Sequence, residues 1–337
     1  MLANPATTQR HPAEAELLRR AVAGHPMVIE SVLGQLSSAN HWLQQIMLET
    51  MRDDADALLW QRLLECLALH RWGDYDDCER RAERENSERL DAALTRLFVE
   101  DEPESASTPV KLAVLQSNLT NAESRMRTAA AVVFGLRGDA RGLEALIEAV
   151  QSGEPARQLL AMTALGKLQD ERGGWALAEA LACDDETVHW EASRALGELG
   201  SKSLPALLEA LKSLKPHVRW HAVRALGNLN HPQSAAGLAE TLADTDYSVR
   251  WAAADALINI GVVAVPKILE RLSRYSPMDD TCQAAYHALH RIGSAETQKQ
   301  LQPLLKALRG PAAPVEAPMV AYRLLQAWDM GKTPGER

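Results

Sequence analysis

Three tryptophans in successive stretches of this chain share one local setting. Trp190, Trp220 and Trp251 lie 30 and 31 residues apart, and four residues after each comes Arg194, Arg224 or Asp255. Immediately after the three indoles come Glu191, His221 and Ala252. On a helix, an arginine four residues beyond a tryptophan can lie over the ring, a cation–π arrangement. Aromatic rings edged by mixed charge have the composition expected of a binding hot spot. The candidate partner-binding residues are therefore Trp190, Glu191, Arg194, Trp220, His221, Arg224, Trp251 and Asp255. A tryptophan so placed can also fold back and fill space between neighbouring helices, and the two roles are compatible.

Little else in the chain has the spacing of a reactive site. There is no phosphate-cradling glycine loop, no nucleophile elbow and no His/Cys cluster with metal spacing. His287 and His290 share a helix with Cys282, a grouping that reads as incidental rather than metal-binding. No catalytic residue, metal or cofactor is expected. The four cysteines, Cys66, Cys78, Cys183 and Cys282, form no CxxC pair and suit reduced thiols in the cytoplasm. A formal charge of −9 is opposite in sign to that of a bulk-electrostatic nucleic-acid binder. Residues 1–12 lack an apolar core of signal-peptide length, and no stretch approaches the roughly 18 apolar residues of a membrane span. The expectation is a cytoplasmic protein without membrane insertion.

The elements that carry the tryptophans repeat. Leu165, Leu196, Leu226, Leu257 and Leu289, each preceded by alanine, are spaced by 31, 30, 31 and 32 residues. Val133-Phe134-Gly135 extends the series one unit toward the N-terminus. A second phase, Leu146, Leu177, Leu207, Leu238 and Ile268, runs at 31, 30, 31 and 30. Each unit reads as helix A (248–260 in the fifth), a short turn, and helix B (265–275 in the fifth). Pro205 and Pro266 stand just inside helix B, where the missing N–H costs nothing. Neither helix can bury its apolar stripe alone, so units must stack. The predicted fold is all-α, a right-handed α-solenoid of two-helix repeats with an irregular helical N-terminal region.

Three regions follow. Residues 1–108 show helical periodicity at 13–22, 27–36, 41–51, 55–70 and 78–98 without a 31-residue echo; they are an irregular helical cap or a separate partner-binding domain. An acidic, Pro/Ser-rich joint at 100–109 marks the boundary. Residues 109–310 hold a half repeat and six repeats, and 311–337 a capping helix (about 314–328) with a frayed tail.

With the anchor leucine as zero and about 100° per residue, positions 0, −4, −8 and +3 form the apolar stripe. Position −6, the tryptophan row, lies roughly 160° away, with −2 and +2 beside it and −5 at the edge. The preceding residues, His189, Arg219 and Arg250, point inward and suit inter-repeat hydrogen bonding.

Val-Arg-Trp-His-Ala-Val-Arg-Ala-Leu-Gly at 218–227 and Val-Arg-Trp-Ala-Ala-Ala-Asp-Ala-Leu at 249–257 resemble the HEAT-like repeat of the phycobilisome-lyase type. The resemblance covers about 121–310. It implies that the outward positions of helix A line a concave surface that meets partners, and it speaks weakly to activity, because the repeat serves unrelated functions. Deoxyhypusine hydroxylases, which share the repeat, bind two irons through His-Glu dipeptides; here the aligned positions read Trp-Glu, Trp-His and Trp-Ala, and no His-Glu dipeptide occurs. The leading expectation is a non-enzymatic scaffold or adaptor for a protein partner. The alternative is a bilin lyase subunit with a tetrapyrrole ligand. A HEAT-like DNA glycosylase is a remote third, opposed by the net charge.

Overall fold

In a computed structural model of the chain, residues 57–70, 92, 94–99, 107–152, 155–274 and 281–329 are described. The helices expected at 13–22, 27–36 and 41–51, most of the acidic joint and the tail from 331 lie outside them. Every regular element among the described residues is helical, and the fold is the all-α solenoid of two-helix repeats expected from the period.

The chain forms two compact units, Met1–Leu168 and Gln169–Arg337. The first holds α1 (Ala57–His70), α2 (Ser107–Asn118), α3 (Ser124–Leu136), α4 (Leu143–Gln151) and α5 (Pro155–Leu168). Helix α1 packs on α2 and α3, so Trp60, Leu63 and Phe98 share one buried core with Leu115, Met126 and Phe134. Trp60 meets Phe98 edge-on at 5.2 Å. Lys111 is buried in this core, its Nζ donating to the Leu97 carbonyl at 3.1 Å.

The second unit holds α6 (Glu171–Ala180), α7 (Glu186–Leu199), α8 (Leu204–Ala210), α9 (Pro216–Leu229), α10 (Ala235–Thr241), α11 (Tyr247–Ile260), α12 (Val265–Ser273), α13 (Thr281–Arg291), α14 (Ala295–Arg309) and α15 (Ala313–Asp329). Helices α7, α9, α11 and α13 are successive A helices and pack side by side, each also resting on the preceding B helix. The anchor leucines Leu196, Leu226, Leu257 and Leu289 are fully buried. Full burial of one such side chain contributes about 1.5–3 kcal/mol. At the C-terminal end, α15 packs on both α12 and α14, so the last helix is an integral neighbour of the fifth repeat.

Local chemistry sets the helix ends. Asp185 and Asp246 accept hydrogen bonds from the second and third backbone N–H groups of α7 and α11. These bonds hold the Asp185 carboxyl below its ordinary range. Gly200 and Gly261 end those helices at φ +64° and +76°, a conformation that side chains with a Cβ resist. The run Tyr247–Ser273 is apolar enough in composition to cross a membrane, but the turn at Gly261 divides it into two repeat helices.

The residue seven before each anchor has a shared task. Arg127, Arg219 and Arg250 each donate through Nη1 to two carbonyls, five and six residues back, in the turn that precedes helix A. His189 donates from Nε2 to the Cys183 carbonyl in the same place. Arg219 also forms a bidentate ion pair with Asp244, both contacts 2.6 Å and the two side chains 12% and 7% exposed. Because Asp244 lies in the following turn, this pair bridges neighbouring repeats, and the bonds to Asp244 raise the Arg219 pKa. The inward-pointing row thus joins repeats through Arg219, and secures each A helix to its own turn elsewhere.

The glycine of the Ala-Leu-Gly motif explains itself at Gly227. A Cβ there would sit 2.9 Å from the Ala256 Cβ on the next A helix, whereas a Cβ at Gly197 meets nothing within 4 Å. Opposite responses are expected from one substitution at the same motif position. Gly197→Ala should stabilise by up to about 1 kcal/mol through helix propensity. Gly227→Ala should destabilise by about 1–3 kcal/mol through overpacking. Urea denaturation of the two variants measures both signs, and equal effects would contradict the close approach of α9 and α11.

Candidate partner-binding face

The tryptophan row lies on the side of the A helices away from the buried leucines. Trp190 on α7 is 63% exposed, while Trp220 on α9 and Trp251 on α11 are half-buried. A cleft of about 650 Å³ opens on this face, with Trp190, Glu191 and Arg194 on one wall and Trp220, His221 and Arg224 on the other. The structure therefore brings six of the eight expected residues to one cleft. Trp251 and Asp255 sit farther along the row, against α13. There Asp255 accepts a hydrogen bond from His287 Nε2 at 3.1 Å, and the His287 ring meets Trp251 edge-on at 4.7 Å.

The two arginines of the cleft behave differently. Arg224 lies over Trp220 four residues before it, at 4.7 Å from the ring centre, as helix spacing predicts. It also reaches Trp190 on the neighbouring helix at 5.8 Å. Arg194 is drawn instead into a double ion pair with Glu191 and Glu198 on its own helix, which raises its pKa. The cation over Trp190 is thus contributed by the next repeat. A signal for this exists in the sequence: Arg194 has glutamates at i−3 and i+4, whereas Arg224 has His221 and Asn228 there.

Sequence reasoning missed a group of three histidines. The His189 ring lies 4.6 Å from His221 and 5.5 Å from His217, and Trp220 meets His221 edge-on at 4.9 Å. The two His189 contacts pass between α7 and α9, so no periodicity within one helix reveals them. The set does not converge on a point: among the described residues no three His, Cys, Asp or Glu side chains have the geometry to hold a metal ion. Burial, followed by the charges of His189, Arg224 and His217, pushes the His221 pKa down to about 4. His221 therefore stands neutral against the indole at neutral pH. His290 lies flat on Tyr286 at 5.4 Å, apart from this cleft.

Fold and face together define an α-helical repeat protein with a polar-aromatic groove. The HEAT repeats family matches residues 175–258, and the PBS lyase HEAT-like repeat matches residues 249–274. Residues 175–274 thus carry HEAT-like repeats, of the PBS lyase repeat type at 249–274. No curated protein sequence matches it. Among solved structures it is similar to an engineered protein, at 19% identity and a TM-score of 0.37 over 96% of both chains. A Kap121p mutant shares 15% identity at a TM-score of 0.44, over 94% of this chain and 43% of that one. The complex of CpcE and CpcF of phycocyanin lyase from Nostoc sp. PCC7120 shares 17% identity at a TM-score of 0.30, over 73% and 94%. At these identities and scores the likeness is one of helical-repeat fold and carries no argument about activity.

The depressed His221 pKa gives a signed pH dependence. Unfolded, the ring titrates near 6.5; folded, near 4. Between these values the unfolded chain binds the extra proton, so stability is full above about pH 6.5 and falls as pH drops toward 4. The melting temperature of the wild type should decline across this window, and that of His221→Gln should decline less. Parallel curves for the two proteins would contradict a neutral, buried His221.

Proposed function

We propose that the chain is a non-enzymatic, cytoplasmic scaffold that captures a protein partner on its helix A face, centred on Trp190, Trp220 and Arg224. The observation that carries this reading is Trp190. A tryptophan that is 63% exposed and faced by an arginine from the next repeat stands at the mouth of the cleft. Large aromatics of this kind, with arginine beside them, dominate the energetics of protein interfaces. The repeat architecture supports the same reading, since stacked units present an extended surface built from equivalent positions. Glu191 and Arg194, paired with each other, form a polar edge to the aromatic centre.

The test begins with recovery of the tagged chain from its native cell and identification of any stoichiometric partner. With that partner purified, Trp190→Ala should weaken binding by about tenfold or more, the loss expected of an interface hot spot. Since Trp190 is exposed, the variant should keep the wild-type circular dichroism and melting temperature. A folded Trp190→Ala protein with undiminished affinity would remove this face from consideration. A visible absorbance band that follows the colourless chain through purification would favour a tetrapyrrole ligand over a protein partner.

A further inference from the structure

We infer that the cleft around Arg224 is a carboxylate-recognition site. It takes an extended segment of a partner that carries one aspartate or glutamate, on Arg224, and an apolar side chain two residues away on Trp190. The inference rests on the scaffold reading above and names the chemistry of its partner.

Arg224 is the observation that carries it. Its contacts among the described residues are the two indoles and the electrostatic repulsion it exerts on His221; no carboxylate or carbonyl accepts from its guanidinium. The neighbouring arginines are spoken for, Arg194 by Glu191 and Glu198, and Arg219 by Asp244. Arg224 is exposed beside these rings, so its N–H donors can meet a carboxylate in a bidentate geometry. The indoles hold the side chain in place before any partner arrives, so less conformational freedom is lost on binding.

Charge decides between a carboxylate and a phosphate. Among the described residues the cleft has one cation without an ionic partner, a neutral His221, and the acidic groups Asp184, Glu186 and Glu191 in its walls, the last of them paired with Arg194. A single guanidinium balances a monoanion, whereas a dianion or a polyanionic backbone would face the surrounding carboxylates with too little positive charge. The overall charge of −9 is no obstacle to a single acidic residue, because distant surface charges are screened beyond about 8 Å at physiological salt.

Geometry sets the spacing. In an extended segment, residues two apart point to the same side and lie roughly 6.6 Å from each other. That distance suits two side chains reaching Trp190 and Arg224, whose rings and guanidinium are 5.8 Å apart. Asn228, exposed one turn after Arg224, offers an amide donor and acceptor with no partner among the described residues. It is placed to bond the backbone of the same segment.

A phage-displayed random dodecapeptide library panned on the full chain tests this without knowledge of the natural partner. Enriched sequences should share an acidic residue two positions from an apolar one. Fluorescence anisotropy with one enriched peptide, labelled, should show about a tenfold loss when its acid is replaced by the corresponding amide. Arg224→Gln should cause a similar loss, and in that variant the acid and amide peptides should bind within about twofold of each other. Arg224→Lys, which keeps the charge without the fork, should bind between the two. Lys267→Gln, whose lysine pairs with Glu270 on α12 outside the cleft, should change binding by less than about threefold. Failure to enrich any peptide, or enrichment of peptides without an acid, overturns the inference. So does binding indifferent to Arg224→Gln; if that binding is still lost in Trp190→Ala, the carboxylate inference fails while the scaffold reading stands.

Discussion

Neither helix of a repeat in this chain can bury its apolar stripe by itself, and the rest of the structure depends on that constraint. The described helices run from seven to seventeen residues, and helices this short are marginal alone in water, so each is stable through the face it buries against neighbours. Each A helix of the second unit satisfies the constraint twice, against the preceding B helix and against the adjacent A helix. The second contact brings outward positions of successive repeats within reach of one another. Where Gly227 meets Ala256 the approach is too close for an added methyl group.

Polar chemistry then holds that stack in register. The turns between repeats are short, and their carbonyls would lack partners without Arg127, His189, Arg219 and Arg250 donating from the next helix. One of these, Arg219, goes further and pairs with Asp244 across a repeat. Removing one partner from such a half-sequestered bidentate pair costs about 3–5 kcal/mol, more than a solvated surface pair contributes. The row beneath the tryptophans is therefore structural, while the tryptophan row lies on the opposite side of the same helices. Adjacent residues such as Arg219 and Trp220 serve opposite sides of the same helix.

The outward row is not uniform from repeat to repeat. Arg194 is neutralised by its own helix, Arg224 by no group among the described residues, and Asp255 is engaged by His287. Three equivalent positions thus present a paired cation, an open cation and a paired anion. Neutral His221 beside Arg224 avoids placing a second positive charge in the same space. A partner that reads this face would find its strongest anchor at the second position and a large exposed ring beside it.

The sequence by itself determined the repeat period, the all-α solenoid, the buried leucine row and the outward placement of the tryptophans. All of these follow from side-chain direction around a single helix, which is fixed by the 3.6-residue turn. It also contained the reason Arg194 is occupied, since acids at i−3 and i+4 lie on the same helical face. Tertiary structure alone decided that Arg224 reaches back to Trp190, that His287 closes on Trp251, and that His189, His217 and His221 gather into one group. Those contacts cross between helices, and their distances depend on how closely two helices pack and at what longitudinal register. The tryptophan row first read as three equivalent rungs is accordingly one exposed ring and two half-buried ones, differing through their neighbours rather than through their own helices.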